Sequence, residues 1–381
     1  MKKLFTSIIL SCCMTMANAQ IADGFYHVKN AGTGRYISIN VTDPANYEVS
    51  IQSGSVNLMG IRTYLSYDTV AVSPSCVIFI KQLGDGKYDL AAQGSSLYAM
   101  TDYKLPIDIT PIGNDKYKVS GTAKGFTKYL NDRTASKKDA YIVNTETGMD
   151  QWYLMPINTT TEYIGIRPDV KTADGSYYGT IFAGYNFRLA SPGMTAFYVS
   201  NAGGAGFTME QITDEVIPAS TPVIIKCNSA NVEDNKIEPV IGGYEFKKTN
   251  WLAGEYCSIQ ETKARQSKAY DPLTMRVLGL NDKGELAFTT PNPAPAGVAT
   301  PYDDARLYKN RYVMANRAYL KVNPGDANVM THGGYEDAIN TVKADDNTST
   351  GIYTLTGVRL PDGVTPRAGI YIKNGKKVII K

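Results

Sequence analysis

The sequence has little histidine, little tryptophan and no surplus of either charge. Only His27 and His332 are available for the commonest acid–base role in catalysis, and just 2 Trp accompany 27 Tyr and 10 Phe. Lys and Arg number 39 against 36 Asp and Glu, a formal +3. Near neutrality with no basic cluster excludes the electrostatic footprint of a nucleic-acid-binding protein. No apolar stretch approaches the roughly 20 residues needed to cross a bilayer as a helix, so no transmembrane segment is expected in the mature chain. Paired histidines at helical spacing, paired cysteines at zinc spacing and a phosphate loop are all missing, which leaves no metal site and no cofactor to expect. The glycines Gly203, Gly204 and Gly206 lack the lysine of a phosphate loop and read as a turn between strands. His332-Gly333-Gly334 would suit an oxyanion loop, but no Gly-x-Ser-x-Gly elbow supplies a nucleophile. Adjacent acids at Asp303-Asp304 and Asp345-Asp346 read as solvated loop residues rather than calcium ligands. No catalytic residue is therefore assigned, and the chain is not expected to be an enzyme.

What is present begins at the N-terminus. Lys2 and Lys3 precede an apolar run from Leu4 to Cys13, and small residues follow at Ala17 and Ala19. That order is a secretory signal peptide over residues 1–19, with cleavage between Ala19 and Gln20. Lipoprotein processing at Cys12 is the rival reading. Without Lys2 and Lys3 the 39 basic residues fall to 37 against 36 acids, a formal +1. The mature chain keeps Cys76, Cys227 and Cys257. An odd count leaves at least one thiol unpaired, and Cys227 with Cys257 is the possible disulfide. The expected location is secreted or cell-surface.

Residues 20–157 carry an internal repeat. GFYHVKNAGTGRYISI from Gly24, GKYDLAAQGSSLYAM from Gly86 and DKYKVSGTAKGFTKYL from Asp115 each place a Tyr strand, a small-residue turn and a second aromatic strand in the same order. Closing strands follow at CVIFIKQL, LPIDITPI and QWYLMPI. Three such units cannot bury their apolar faces separately, and packing about a pseudo-threefold axis gives one shared core, a β-trefoil-like domain. QWYLMPI, with Gln151 and Trp152, and KNAGTGRYIS resemble the ricin-type lectin trefoil. That resemblance implies a carbohydrate-binding, lectin-like function. Glycan sites of this kind use an aromatic face for the sugar ring and amide or carboxylate groups for its hydroxyls. Tyr129, Asn131, Asp132 and Arg133 are the first candidate set, and Tyr64, Tyr67 and Asp68 the second. Asp68-Thr69-Val70 also resembles a protein O-glycosylation acceptor of Bacteroidetes.

After a polar run at Asn158 to Thr161, short strand candidates bounded by Gly, Pro and Asn continue through SYYGTIFAGYNFRL, MTAFYVS, GFTMEQIT, TPVIIKC, RVLGL, LAFTT and RAYLKV. They predict a β-sandwich module over 158–323. It resembles accessory modules found beside binding and glycan-degrading domains in exported proteins of Bacteroides-like bacteria. Residues 324–350 are polar and small and read as a linker. Residues 351–381 form a short C-terminal β element that resembles the sorting signal of exported Bacteroidetes proteins, with outer-membrane association and export machinery as the implied partners. A glycosidase needs only two carboxylates, but two accessory-like modules leave no room for a catalytic barrel. The alternative to glycan binding is a structural or adhesive surface protein that holds an envelope protein partner.

Overall fold

A computed structural model describes residues 20–38, 63–66, 72–92, 95–96, 107–123, 126–132, 139–143, 149–255, 269–291, 307–308, 312–333, 352–354, 360, 366, 368–373 and 376–380. The described residues are almost all strand and turn. Their helical segments are the single 3₁₀ turns Pro74–Cys76 and Val232–Asp234.

Six strands close a barrel in the N-terminal module. Gly24–Asn30 pairs with Ile78–Gly84, which pairs with Lys87–Ala92, then Ile107–Gly113, Lys116–Ala123 and Trp152–Pro156, and the last returns to Gly24–Asn30. All six pairings are antiparallel, and closure removes every free edge. Register follows a threefold rule. Tyr26 faces Ile78, Tyr88 faces Ile107 and Tyr117 faces Trp152. Two residues further on, Val28 faces Leu154, Leu90 faces Ile80 and Val119 faces Ile109. These residues make up one core, as alternation along each strand requires. The barrel is trefoil-like.

The two hairpins of the barrel close with equivalent turns, Gly84-Asp85-Gly86-Lys87 and Gly113-Asn114-Asp115-Lys116. Their backbones enter the left-handed region at φ +94° for Gly84 and +89° for Gly113, where a side chain would strain the turn. Ile21 is buried with Tyr26 and Tyr88 in the barrel core, and its N–H donates to the Tyr88 hydroxyl at 3.2 Å.

The second module is a sandwich with an added layer. A ten-stranded sheet folds back on itself, so that Val199, Phe207 and Ile224 on one half meet Leu278, Phe288 and Leu320 on the other. Period-two alternation sends Val223, Ile225 and Cys227 to the opposite face. There they join Ile164, Phe187 and Ile237 from a three-stranded sheet of Ile164–Gly165, Lys236–Val240 and Asn186–Leu189. Val77, Phe25 and Ile157 enter this same core from the trefoil side. His27, fully buried, reaches Glu162 through Nδ1 at 2.8 Å.

One boundary is corrected. The linker expected over 324–350 contains a strand, Val329–His332, and the sandwich does not stop at 323. This strand lies between Gly206–Gln211, to which it is parallel, and Leu286–Thr289, to which it is antiparallel. Only Met330 is fully buried, so a four-residue strand paired on both edges leaves almost no apolar signature. Arg276 secures the approach to it, donating from Nε to the Ala327 carbonyl at 3.0 Å and from Nη2 to the Asp326 carbonyl at 3.0 Å. Residues 334–350 of the expected linker lie outside the described residues. Beyond them Ile352–Thr354, Gly369–Lys373 and Lys376–Ile380 form a separate three-stranded antiparallel sheet, the short C-terminal β element.

Candidate functional site

The third trefoil unit carries the first set of sequence candidates, and the structure separates them. Tyr129 sits half-buried on the strand Phe126–Asn131, opposite Ser120 on one side and Val143 on the other. The Lys118 ammonium lies 5.7 Å from its ring centroid, within cation–π range, and also 3.3 Å from the buried Asp150 carboxylate. Neither Lys118 nor Asp150 was singled out in the sequence, because they read as an ordinary strand lysine and a turn acid. What makes them local partners is a register that brings two strands of one unit together.

Asn131 and Asp132 do not form a surface sugar site. Both are fully buried. The Asp132 carboxylate takes Nε of Arg35 at 2.7 Å on Oδ2, pairs Oδ1 with Nη2 of the same guanidinium, and accepts the Thr33 hydroxyl at 2.5 Å. The reason is the pseudo-threefold closure, which presses the first turn of the chain against the end of the third unit. Asn30 organises that junction. Its Nδ2 donates to the Met149 carbonyl at 2.7 Å and its Oδ1 accepts the N–H groups of Gly32 and Thr33 at 2.9 Å each. Ala31 N–H donates to the Gln151 carbonyl at 2.8 Å, and Trp152, wholly buried, donates its indole N–H to the Leu130 carbonyl at 3.0 Å. Gln151 and Trp152, which carried the lectin resemblance, thus hold the closure of the barrel.

Arg133, Tyr67 and Asp68 lie outside the described residues. Tyr64 falls on the strand Thr63–Ser66, opposite Ser38 and Asp139. The possible disulfide is not formed at Cys227, which is a free thiol buried among Ile225 and its neighbours; Cys257 lies outside the described residues. Burial pushes that thiol up to about 12, with the Asp169 charge adding to it. Among the described residues no group of three or more His, Cys, Asp or Glu is placed to hold a metal ion, and no helix is long and apolar enough to cross a membrane.

Comparison with known proteins adds little to this geometry. No protein-family model matches the sequence, and no curated relative matches it. Among solved structures, the chain is similar to the designed threefold-symmetric protein ThreeFoil at 16% identity and a TM-score of 0.24, covering 35% of this chain and 99% of that one. It is also similar to a mosquitocidal holotoxin at 12% identity and a TM-score of 0.25, covering 87% of this chain and 36% of the toxin. Likenesses this slight carry no argument, and the trefoil-like fold rests on the closed barrel and its threefold register.

Proposed function

We propose that this chain is an exported, carbohydrate-binding protein of lectin-like type that lacks catalytic activity, retained at the cell surface or released. The observation that carries the reading is Tyr129, a half-buried aromatic backed by Lys118 and set beside a turn that Arg35 and Asp132 make rigid. Rigid aromatic platforms of this kind contribute contact area to a sugar ring at little conformational cost. Export is supported by the order of residues 1–19 and by the burial of Ile21 immediately after the expected cleavage point. Origin in a Bacteroidetes-like bacterium and a sorting role for residues 351–381 belong to the same proposal and rest on sequence resemblance.

A glycan array probed with the chain from Gln20 onward tests it, with Tyr129→Ala as the paired sample. The expected result is glycan capture that falls at least about tenfold in the variant. Absence of capture on every glycan would refute the reading. The alternative, adhesion to a protein partner, is favoured by the terminal sheet, where Ile370 and Ile379 are exposed. A pulldown from envelope extract that keeps its protein partner in the presence of free sugars would select it.

A further inference from the structure

The second module contains a groove of about 490 Å³ that no feature of the trefoil accounts for. That volume falls in the range of ordinary ligand sites. Its walls are the segments around Asp214–Pro218 and Tyr244–Lys248. Both are clipped to one strand, Asn186–Leu189. The Asn186 side-chain amide donates to the carbonyls of Val240 at 3.3 Å and Gly242 at 2.8 Å, while its Oδ1 accepts the Ala219 N–H at 2.9 Å. Phe187 and Ile217 exchange both backbone hydrogen bonds, at 3.0 and 2.7 Å. Phe246 anchors the far end edge-on against Tyr198, with ring centroids 5.3 Å apart. The two walls are loops in name and fixed in position.

Tyr244 is 47% exposed, yet its ring is held in place. A Cβ on Gly242 would lie 2.5 Å from its Cε2, so the ring lies against bare backbone. The lining carries both signs with one acid in excess, three carboxylates (Asp214, Glu215, Glu245) against Lys247 and Lys248, and the neighbouring Arg188 is shared between Glu215 and Glu238. Arg188 binds Glu215 at 3.2 Å, Lys247 lies 3.8 Å from Glu245, and Lys248 sits over the Tyr198 ring at 5.1 Å.

We propose that this groove is a second binding site, specific for neutral oligosaccharides of pyranose units, with Tyr244 stacking on a sugar ring and Asp214 and Glu245 accepting its hydroxyls. A lining of mixed sign with a single acid in excess gives little field to draw a polyanion or a polycation. Carboxylates at the rim of an aromatic platform suit a ligand that presents C–H faces and hydroxyl donors together. The site is independent of Tyr129 and makes the chain bivalent, which raises its retention on a polymeric glycan beyond either affinity alone.

The test is calorimetric titration of the chain from Gln20 onward with cellotetraose, laminaritetraose, mannotetraose and chitotetraose, and separately with heparin and polylysine. Binding of at least one neutral tetraose is expected. Tyr244→Ala and Gly242→Ala should each weaken it at least about tenfold, Tyr244→Phe should stay within about threefold, and Tyr129→Ala should leave this groove's stoichiometric site intact. Thermal unfolding of the Tyr244 variants should match the parent, since the ring is exposed. Equal binding by Tyr244→Ala, binding of none of the four tetraoses, or binding of heparin or polylysine that Tyr244→Ala abolishes would each overturn the proposal. Loss confined to Tyr129→Ala would overturn it while leaving the trefoil reading in place.

Discussion

Arg35 and Asp132, ninety-seven residues apart, form an ion pair with no solvent exposure on either side chain. Removing the carboxylate breaks this fully buried ion pair, which costs about 3–5 kcal/mol. Asp132→Ala should therefore lower the urea midpoint steeply, and glycan affinity should weaken only along with that loss of stability. A variant of normal stability that has lost only affinity would return Asp132 to the ligand site.

His27 and Glu162 tie the barrel to the sandwich. Glu162 is partly exposed, but His27 is wholly buried, and its Nε2 has no hydrogen-bond partner among the described residues. Loss of the one hydrogen bond that the ring makes should cost about 1–3 kcal/mol. Glu162→Ala is expected to shift chemical denaturation by that amount, whereas a neutral result would mean that the two modules are held by apolar contact and by backbone bonds such as Gly165 N–H to the Val72 carbonyl at 3.1 Å.

Truncation separates the corrected boundary from the expected one. Ending the chain at residue 323 removes Val329–His332 and opens an edge on both Gly206–Gln211 and Leu286–Thr289. Differential scanning calorimetry should show a fall of about 10 °C or more, or loss of the sandwich transition altogether. Ending it at residue 350 keeps that strand, and the transition should move by no more than about 2 °C.

Alkaline pH provides a fourth measurement. Burial raises the Cys227 thiol to about 12, and burial followed by the Glu162 charge raises the Tyr36 phenol to about 12. Both groups are neutral in the folded chain over a range where the unfolded chain ionises. Their stabilisation is thus complete below the ordinary thiol and phenol values and is lost as pH climbs from there towards about 12. Native Cys227 should resist iodoacetamide at about pH 8 and react after denaturation. Rapid native labelling of Cys227 would contradict its burial.

Much of the fold was legible because it repeats. Tyr26, Tyr88 and Tyr117 head their units in sequence, and the same three residues face Ile78, Ile107 and Trp152 in the barrel. Turn glycines and alternating apolar residues are local signals, so the strands of both modules could be placed from them. Val329–His332 escaped because its stability comes from hydrogen bonds on both edges, which leave no mark on composition.

The sequence by itself determined that this chain is β-rich and that its first part is threefold. Only the tertiary structure decided which polar residues face solvent. Asn131 and Asp132 carry the right chemistry for a sugar, but a turn almost a hundred residues earlier buries them. Tyr244, in a glycine-rich stretch with no sequence signal, is left exposed over Gly242 by a single asparagine that binds both walls of its groove. Burial is a property of what packs against a residue from distant parts of the chain, and no local pattern encodes it.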